Sequence, residues 1–73
     1  MPGHDDRLTT REALALGLHI VEPAGGTGQS FAHVPGSAIA TSERLSEYFR
    51  NHESELVGEE RGGVQFYLFP LAD

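Results

Sequence analysis

His19 and His33 are the residues whose types and positions could support metal chemistry. Each lies in a short run of alternating apolar and polar residues, residues 18–22 and 29–34, as expected for two β-strands. A glycine-rich loop joins the runs, and a hairpin centred on Gly26 would place the two imidazoles opposite each other. They could then form part of an accessory or fragment domain of a metal- or small-molecule-binding enzyme. Since the spacing matches no recognised metal motif, we predict no metal ion and no cofactor, and keep the enzyme fragment as the alternative.

Phosphate binding and nucleophilic catalysis both lack the residues that they need. The chain contains no lysine and no cysteine. The segment Gly25-Gly26-Thr27-Gly28 therefore has no phosphate-loop lysine, and it precedes a predicted strand where a phosphate loop precedes a helix. No serine is spaced with a base and an orienting acid as in a hydrolase. We predict that the protein is not an enzyme.

The chain is strongly acidic. Eleven aspartates and glutamates stand against five arginines, which gives a formal net charge of −6 at pH 7. This charge repels phosphate backbones and anionic lipid, so we predict no direct nucleic-acid binding and no membrane association. Carboxylates along a helix and the loop after it can imitate the phosphates of a nucleic acid. The candidates for such a surface are Glu43, Glu47, Glu59 and Glu60.

In size and charge the chain is similar to small phage-encoded inhibitors such as anti-CRISPR proteins, although it shares no motif with them. The similarity implies a viral protein that inhibits nucleic-acid-handling machinery. We accordingly expect a small acidic protein-interaction module that binds and masks a surface of a larger protein. No apolar run approaches the roughly 20 residues of a membrane span, and we expect a cytoplasmic protein.

Two helices are predicted. Thr9 and Glu12 have the spacing of a capping box, and Gly17 is placed to end a short helix after them. A longer helix is predicted over residues 41–56, where apolar side chains repeat at helical spacing, and Gly58 is placed to end it.

A third strand is predicted over residues 64–69, closed by Pro70. The element order is then αββαβ. It predicts an α+β fold, a small two-layer domain with a three-stranded, mainly antiparallel sheet packed on two helices. We expect one globular domain over residues 1–73, in which residues 1–7 form a flexible N-terminal tail.

Alternation along the strands assigns each side chain to one of two sheet faces. The face predicted to join the helices in the core carries Leu18, Ile20, Ala32, Val34, Val64, Phe66 and Leu68. The other face is predicted to stay uncovered and to bind a partner through Val21, Phe31, Tyr67 and Phe69. A homodimer that stacks two such faces is the other arrangement that the pattern allows.

Overall fold

A computed structural model describes residues 6–22 and 28–73, and the predicted loop around Gly26 and residues 1–5 of the predicted tail lie outside these ranges. The elements in chain order are α1 (Thr10–Ala15), β1 (His19–Val21), β2 (Phe31–Pro35), α2 (Gly36–Thr41), α3 (Glu43–His52), a 3₁₀ turn (Glu53–Glu55), β3 (Val57–Arg61) and β4 (Val64–Pro70). The strands form an antiparallel sheet in the order β1-β2-β4-β3. The α+β class is confirmed, with one strand and one helix more than predicted.

Helix α1 forms as its sequence predicts. The Thr9 hydroxyl accepts a hydrogen bond from the Glu12 amide, and the Glu12 carboxylate accepts one from the Thr9 amide, each at 3.1 Å. Gly17 follows the helix with a φ of +79°, a backbone conformation that favours glycine. The Leu18 amide then donates to the Ala13 carbonyl at 3.0 Å, so the helix ends in a Schellman motif.

The second predicted helix, residues 41–56, is shorter than expected. It begins after Ser42, whose hydroxyl accepts a hydrogen bond from the Leu45 amide, and ends at His52 before the 3₁₀ turn. Helix α2, which the sequence pattern did not predict, fills the interval between β2 and α3. It has no side-chain cap, because its N-cap residue is Pro35, and so it lacked the usual starting signal.

Strand β3 was also not predicted. The expectation that Gly58 ends a helix is wrong, since this glycine lies inside β3 and pairs with Tyr67 of β4. A Cβ added to Gly58 would lie 3.2 Å from the Tyr67 ring, so the ring occupies the space over the glycine. Gly62 and Gly63 connect the strands with φ values of +56° and +81°, as the two left-handed positions of a type I′ hairpin turn require.

The predicted register of the first hairpin is confirmed. The opposed pairs are His19 with His33, Ile20 with Ala32, and Val21 with Phe31.

The predicted face assignment of β4 is wrong. Ala32 and Val34 of β2 are fully buried, as predicted, but their partners in β4 are Phe69 and Tyr67. Phe69 is fully buried, and its ring centroid lies 5.1 Å from that of Tyr48 in α3. The side of β4 that faces away from the helices carries Val64, Phe66 and Leu68, which were predicted to lie in the core.

The C-terminal segment continues past Pro70 and joins the N-terminal segment. The Ala72 amide donates to the Leu8 carbonyl at 2.8 Å, and the Thr10 amide donates to the Asp73 carboxylate at 2.7 Å. The Thr10 hydrogen bond lowers the pKa of the Asp73 carboxyl below its usual value. Core residues therefore come from the whole described length: Leu8, Ala13, Leu18, Ala32, Val34, Ile39, Leu45, Tyr48, Phe69 and Leu71.

Two substitutions on opposite faces of β4 test the corrected assignment. Phe69→Ala should lower the free energy of unfolding by about 3–5 kcal/mol, because it leaves a cavity in the core. Phe66→Ala should cost less, about 1–3 kcal/mol, because this half-buried ring loses one aromatic contact and only part of the burial of a core phenylalanine. Urea denaturation followed by circular dichroism measures both. Equal losses, or a larger loss for Phe66→Ala, would contradict the assignment.

Candidate functional site

The side of the sheet opposite the helices, which we call the open face, is the candidate site. Register and alternation place on it the side chains of His19, Val21, Phe31, His33, Pro35, Val57, Glu59, Arg61, Val64, Phe66, Leu68 and Pro70. Val57, Val64 and Val21 are 60, 46 and 37% exposed, respectively. These exposures show that no described segment covers the outer parts of this face.

The open face is organised in rows that cross the sheet. One row contains His19, His33, Leu68 and Val57, one residue from each strand. Phe66 lies in the next row, between Pro35 of β2 and Glu59 of β3. The centre of the face is thus apolar and aromatic, and charged groups lie toward the β3 edge.

His33 connects the two strands that flank β4. Its Nε2–H donates to Glu59 Oε1 at 2.7 Å, and its ring stacks on Phe66 with centroids 4.3 Å apart and planes 10° apart. The Arg61 Nε atom lies 3.5 Å from the same carboxylate oxygen. The His33 side chain is only 17% exposed as a result. This arrangement fixes a flat, preorganised patch of imidazole and phenyl rings around a paired carboxylate.

This geometry does not complete a metal site around the histidine pair. His19 and His33 are opposed as predicted, but Nε2 of His33 is already bonded to Glu59. Within residues 6–22 and 28–73, no group of three or more histidine, cysteine, aspartate or glutamate side chains is placed to hold a metal ion. The pair therefore lacks a third ligand in the part of the chain that the structure describes.

The structure brings only half of the predicted aromatic and apolar partner-binding set to the open face. Val21 and Phe31 lie there, whereas Phe69 is in the core and Tyr67 packs edge-on against Phe49 of α3. Both alternating series of β4 contain large apolar side chains, and the polarity of Gln65 favoured the wrong series for the core. A signal was available beyond Pro70: the buried Leu71 continues the Tyr67–Phe69 series.

The four predicted acidic residues do not form one surface. Glu43 and Glu47 are exposed on α3, in the helix layer. Glu59 points to the opposite side of the sheet, where His33 holds its carboxylate. Glu60, predicted to lie in a loop, lies in the edge strand β3 and alternates with Glu59. The carboxylates are thus divided between the two sides of the molecule, which differs from the predicted continuous acidic surface.

Comparison of the chain with protein-family models, with curated proteins and with solved structures found no match in any of the three. Among the described residues, no helix has the length and apolar character needed to cross a membrane. The open face and the acidic charge are the features from which a function can be inferred.

A double-mutant cycle of His33→Asn and Glu59→Gln tests the pair that organises the open face. Because the Glu59 side chain is 35% exposed, we expect a coupling energy of about 0.2–1 kcal/mol. Urea unfolding of the parent, both single variants and the double variant gives this energy. A coupling of zero would show that this hydrogen bond adds nothing to the stability of the open face.

Proposed function

We propose that this chain is a small, non-enzymatic protein-interaction module, which binds a larger protein through the open face and masks the surface that it covers. One observation carries the proposal. The open face presents a connected apolar and aromatic area, including exposed Val57 and Val64 beside half-buried Phe31 and Phe66. Aromatic side chains supply a large contact area at low entropic cost, and connected apolar patches are typical of protein interfaces.

An exposed face is common in antiparallel sheets, so exposure alone would carry little weight. The distribution of polarity on this face adds support. Phe66 and His33 form a stacked centre, while Glu59 and Arg61 provide charge toward the β3 edge. An apolar centre with a polar border is the usual anatomy of a protein interface.

The charge suggests the chemistry of the partner. A chain with a net charge of −6 is attracted to a basic protein surface, and that attraction speeds association. We therefore propose a partner that offers an apolar patch within a basic surface. Nucleic-acid-handling proteins carry basic surfaces of this kind. By covering such a basic surface, the module would prevent nucleic acid from binding there. We therefore propose that it acts as an inhibitor of the anti-CRISPR type.

The position of the acidic residues bears on how such an inhibitor would work. Glu43 and Glu47 lie in the helix layer and Glu59 lies on the open face, so they cannot follow one phosphate path. We propose that the open face makes the contact. The carboxylates of the helix layer then contribute through their field, which attracts the basic partner and repels nucleic acid.

Lysine substitutions on and off the open face test the proposal. Val57→Lys with Val64→Lys introduces two charges at highly exposed positions of this face and should leave the fold intact. Leu14→Lys is the matched control, because Leu14 is 60% exposed on α1 in the helix layer. Each tagged variant is used to isolate partners from its native cells, and binding is then measured with the purified partner.

We expect the double variant to lose partner binding by at least about tenfold while the Leu14→Lys variant keeps it, because two lysines on the binding face would be desolvated without partners and would repel a basic surface. Circular dichroism controls for folding, and light scattering measures the oligomeric state. Equal binding by both variants would overturn the role of the open face. A parent dimer that the double variant converts to folded monomers would show instead that a second copy covers this face.

The chain itself should not bind nucleic acid. Because its net charge has the same sign as phosphate, we expect no binding to DNA or RNA tighter than about 1 µM, even at low salt, where electrostatic attraction is greatest. A mobility-shift titration in about 20 mM salt, where the Debye length of about 20 Å is more than twice that at physiological ionic strength, measures this. Micromolar or tighter binding would contradict the proposed mode of action.

A further inference from the structure

His52, the last residue of α3, lies between carboxylates from two other segments. Its Nε2 atom is 3.0 Å from Asp6 Oδ1 and 3.1 Å from Asp6 Oδ2, and its Nδ1 atom is 3.3 Å from Glu55 Oε1. Ionised carboxylates only accept hydrogen bonds, so each ring nitrogen must donate. A neutral imidazole carries one N–H group, whereas the imidazolium carries two. Both contacts are therefore satisfied only when His52 is charged.

The surroundings of His52 also favour the charged form. The groups that face it are Asp6 from the N-terminal segment, Glu55 from the 3₁₀ turn and the Tyr48 ring, which stacks on it at 4.3 Å. Arg44 of α3 donates to the backbone oxygen of Asp6 and leaves the Asp6 carboxylate to His52. The Asp6 hydrogen bond raises the pKa of His52 above its usual value of 6.5, against a smaller lowering by burial, and Glu55 raises it further.

We propose that His52 is a proton-operated clasp. When it is charged, it donates to both Asp6 and Glu55 and holds the N-terminal segment on the end of α3; when it is neutral, it has one N–H for two carboxylates and loosens its hold on Asp6. The movement ends at Leu8, which is fully buried and whose carbonyl is bound by the Ala72 amide. The buried core therefore does not move when the clasp opens. Asp6 borders a hollow of about 450 Å³ that is also lined by Arg44 and Tyr48. When the contact between Asp6 and His52 loosens, this part of the helix layer becomes more open.

The direction of the pH effect follows from the two states. The clasp contributes fully to folding stability below pH 6.5, where His52 is charged in the folded and the unfolded chain alike. This contribution is lost as the pH rises through the higher pKa of the folded state. The clasp is therefore closed in mildly acidic solution and opens toward alkaline pH.

An NMR titration of the full chain from pH 5 to 9 tests the clasp. We expect His52 to titrate with a midpoint above 6.5, and the amide signal of Asp6 to shift with the same midpoint. Asp6→Asn keeps the size of the side chain and removes its charge, so the His52 midpoint should fall toward 6.5. The amide signal of His19, which lies in strand β1, provides an internal control in the same spectra, since it should not shift on this substitution.

Two further measurements separate a clasp from a fixed contact. The backbone order parameters of Asp6 and Arg7, measured by NMR relaxation, should fall above the His52 midpoint in the parent chain. The Asp6→Asn variant should show low order parameters at every pH. A His52 midpoint that does not change on Asp6→Asn would overturn the proposal, and so would a raised midpoint with no accompanying change at the Asp6 amide.

Discussion

Phe69 is the side chain on which both layers of this protein depend. It is fully buried, pairs with Ala32 of the neighbouring strand and lies against Tyr48 of α3. Side chains alternate along a strand, so its inward position requires Phe66 and Leu68 to point away from the helices. The same constraint produces the core and the open face. An apolar sheet surface stays exposed because Phe69, which fills the core, belongs to β4, and β4 also carries apolar side chains on its other side.

The sequence predicted the local features of the fold well. Thr9, Glu12 and Gly17 act through neighbours within one or two helical turns, so their spacing alone was sufficient. The hairpin register of β1 and β2 followed from its two alternating runs. The α+β class followed from the order of these elements.

The features that the sequence did not predict depend on partners distant in the chain. The β3 sequence Val-Gly-Glu-Glu-Arg has little intrinsic preference for a strand, and it is stabilised by pairing with β4. The local sequence suggested that Gly58 ends a helix. It gives no sign that the Tyr67 ring packs over this glycine in the sheet. For β4, alternation favoured the fully apolar series Val64, Phe66 and Leu68 over the series that contains Gln65, and packing against α3 selects the other series instead. The same error placed Phe69 and Tyr67 in the predicted partner-binding set and left Phe66 and Leu68 out of it.

The bonds between the two ends of the described chain have a kinetic consequence. The hairpin of β3 and β4 closes over two glycines and can form early, because little chain entropy is lost in so short a loop. The bond between Thr10 and Asp73 spans 63 positions. Contacts of such high sequence separation slow folding. We expect a refolding chain to form this local hairpin first and to attach its first helix to Asp73 in a later, slower step.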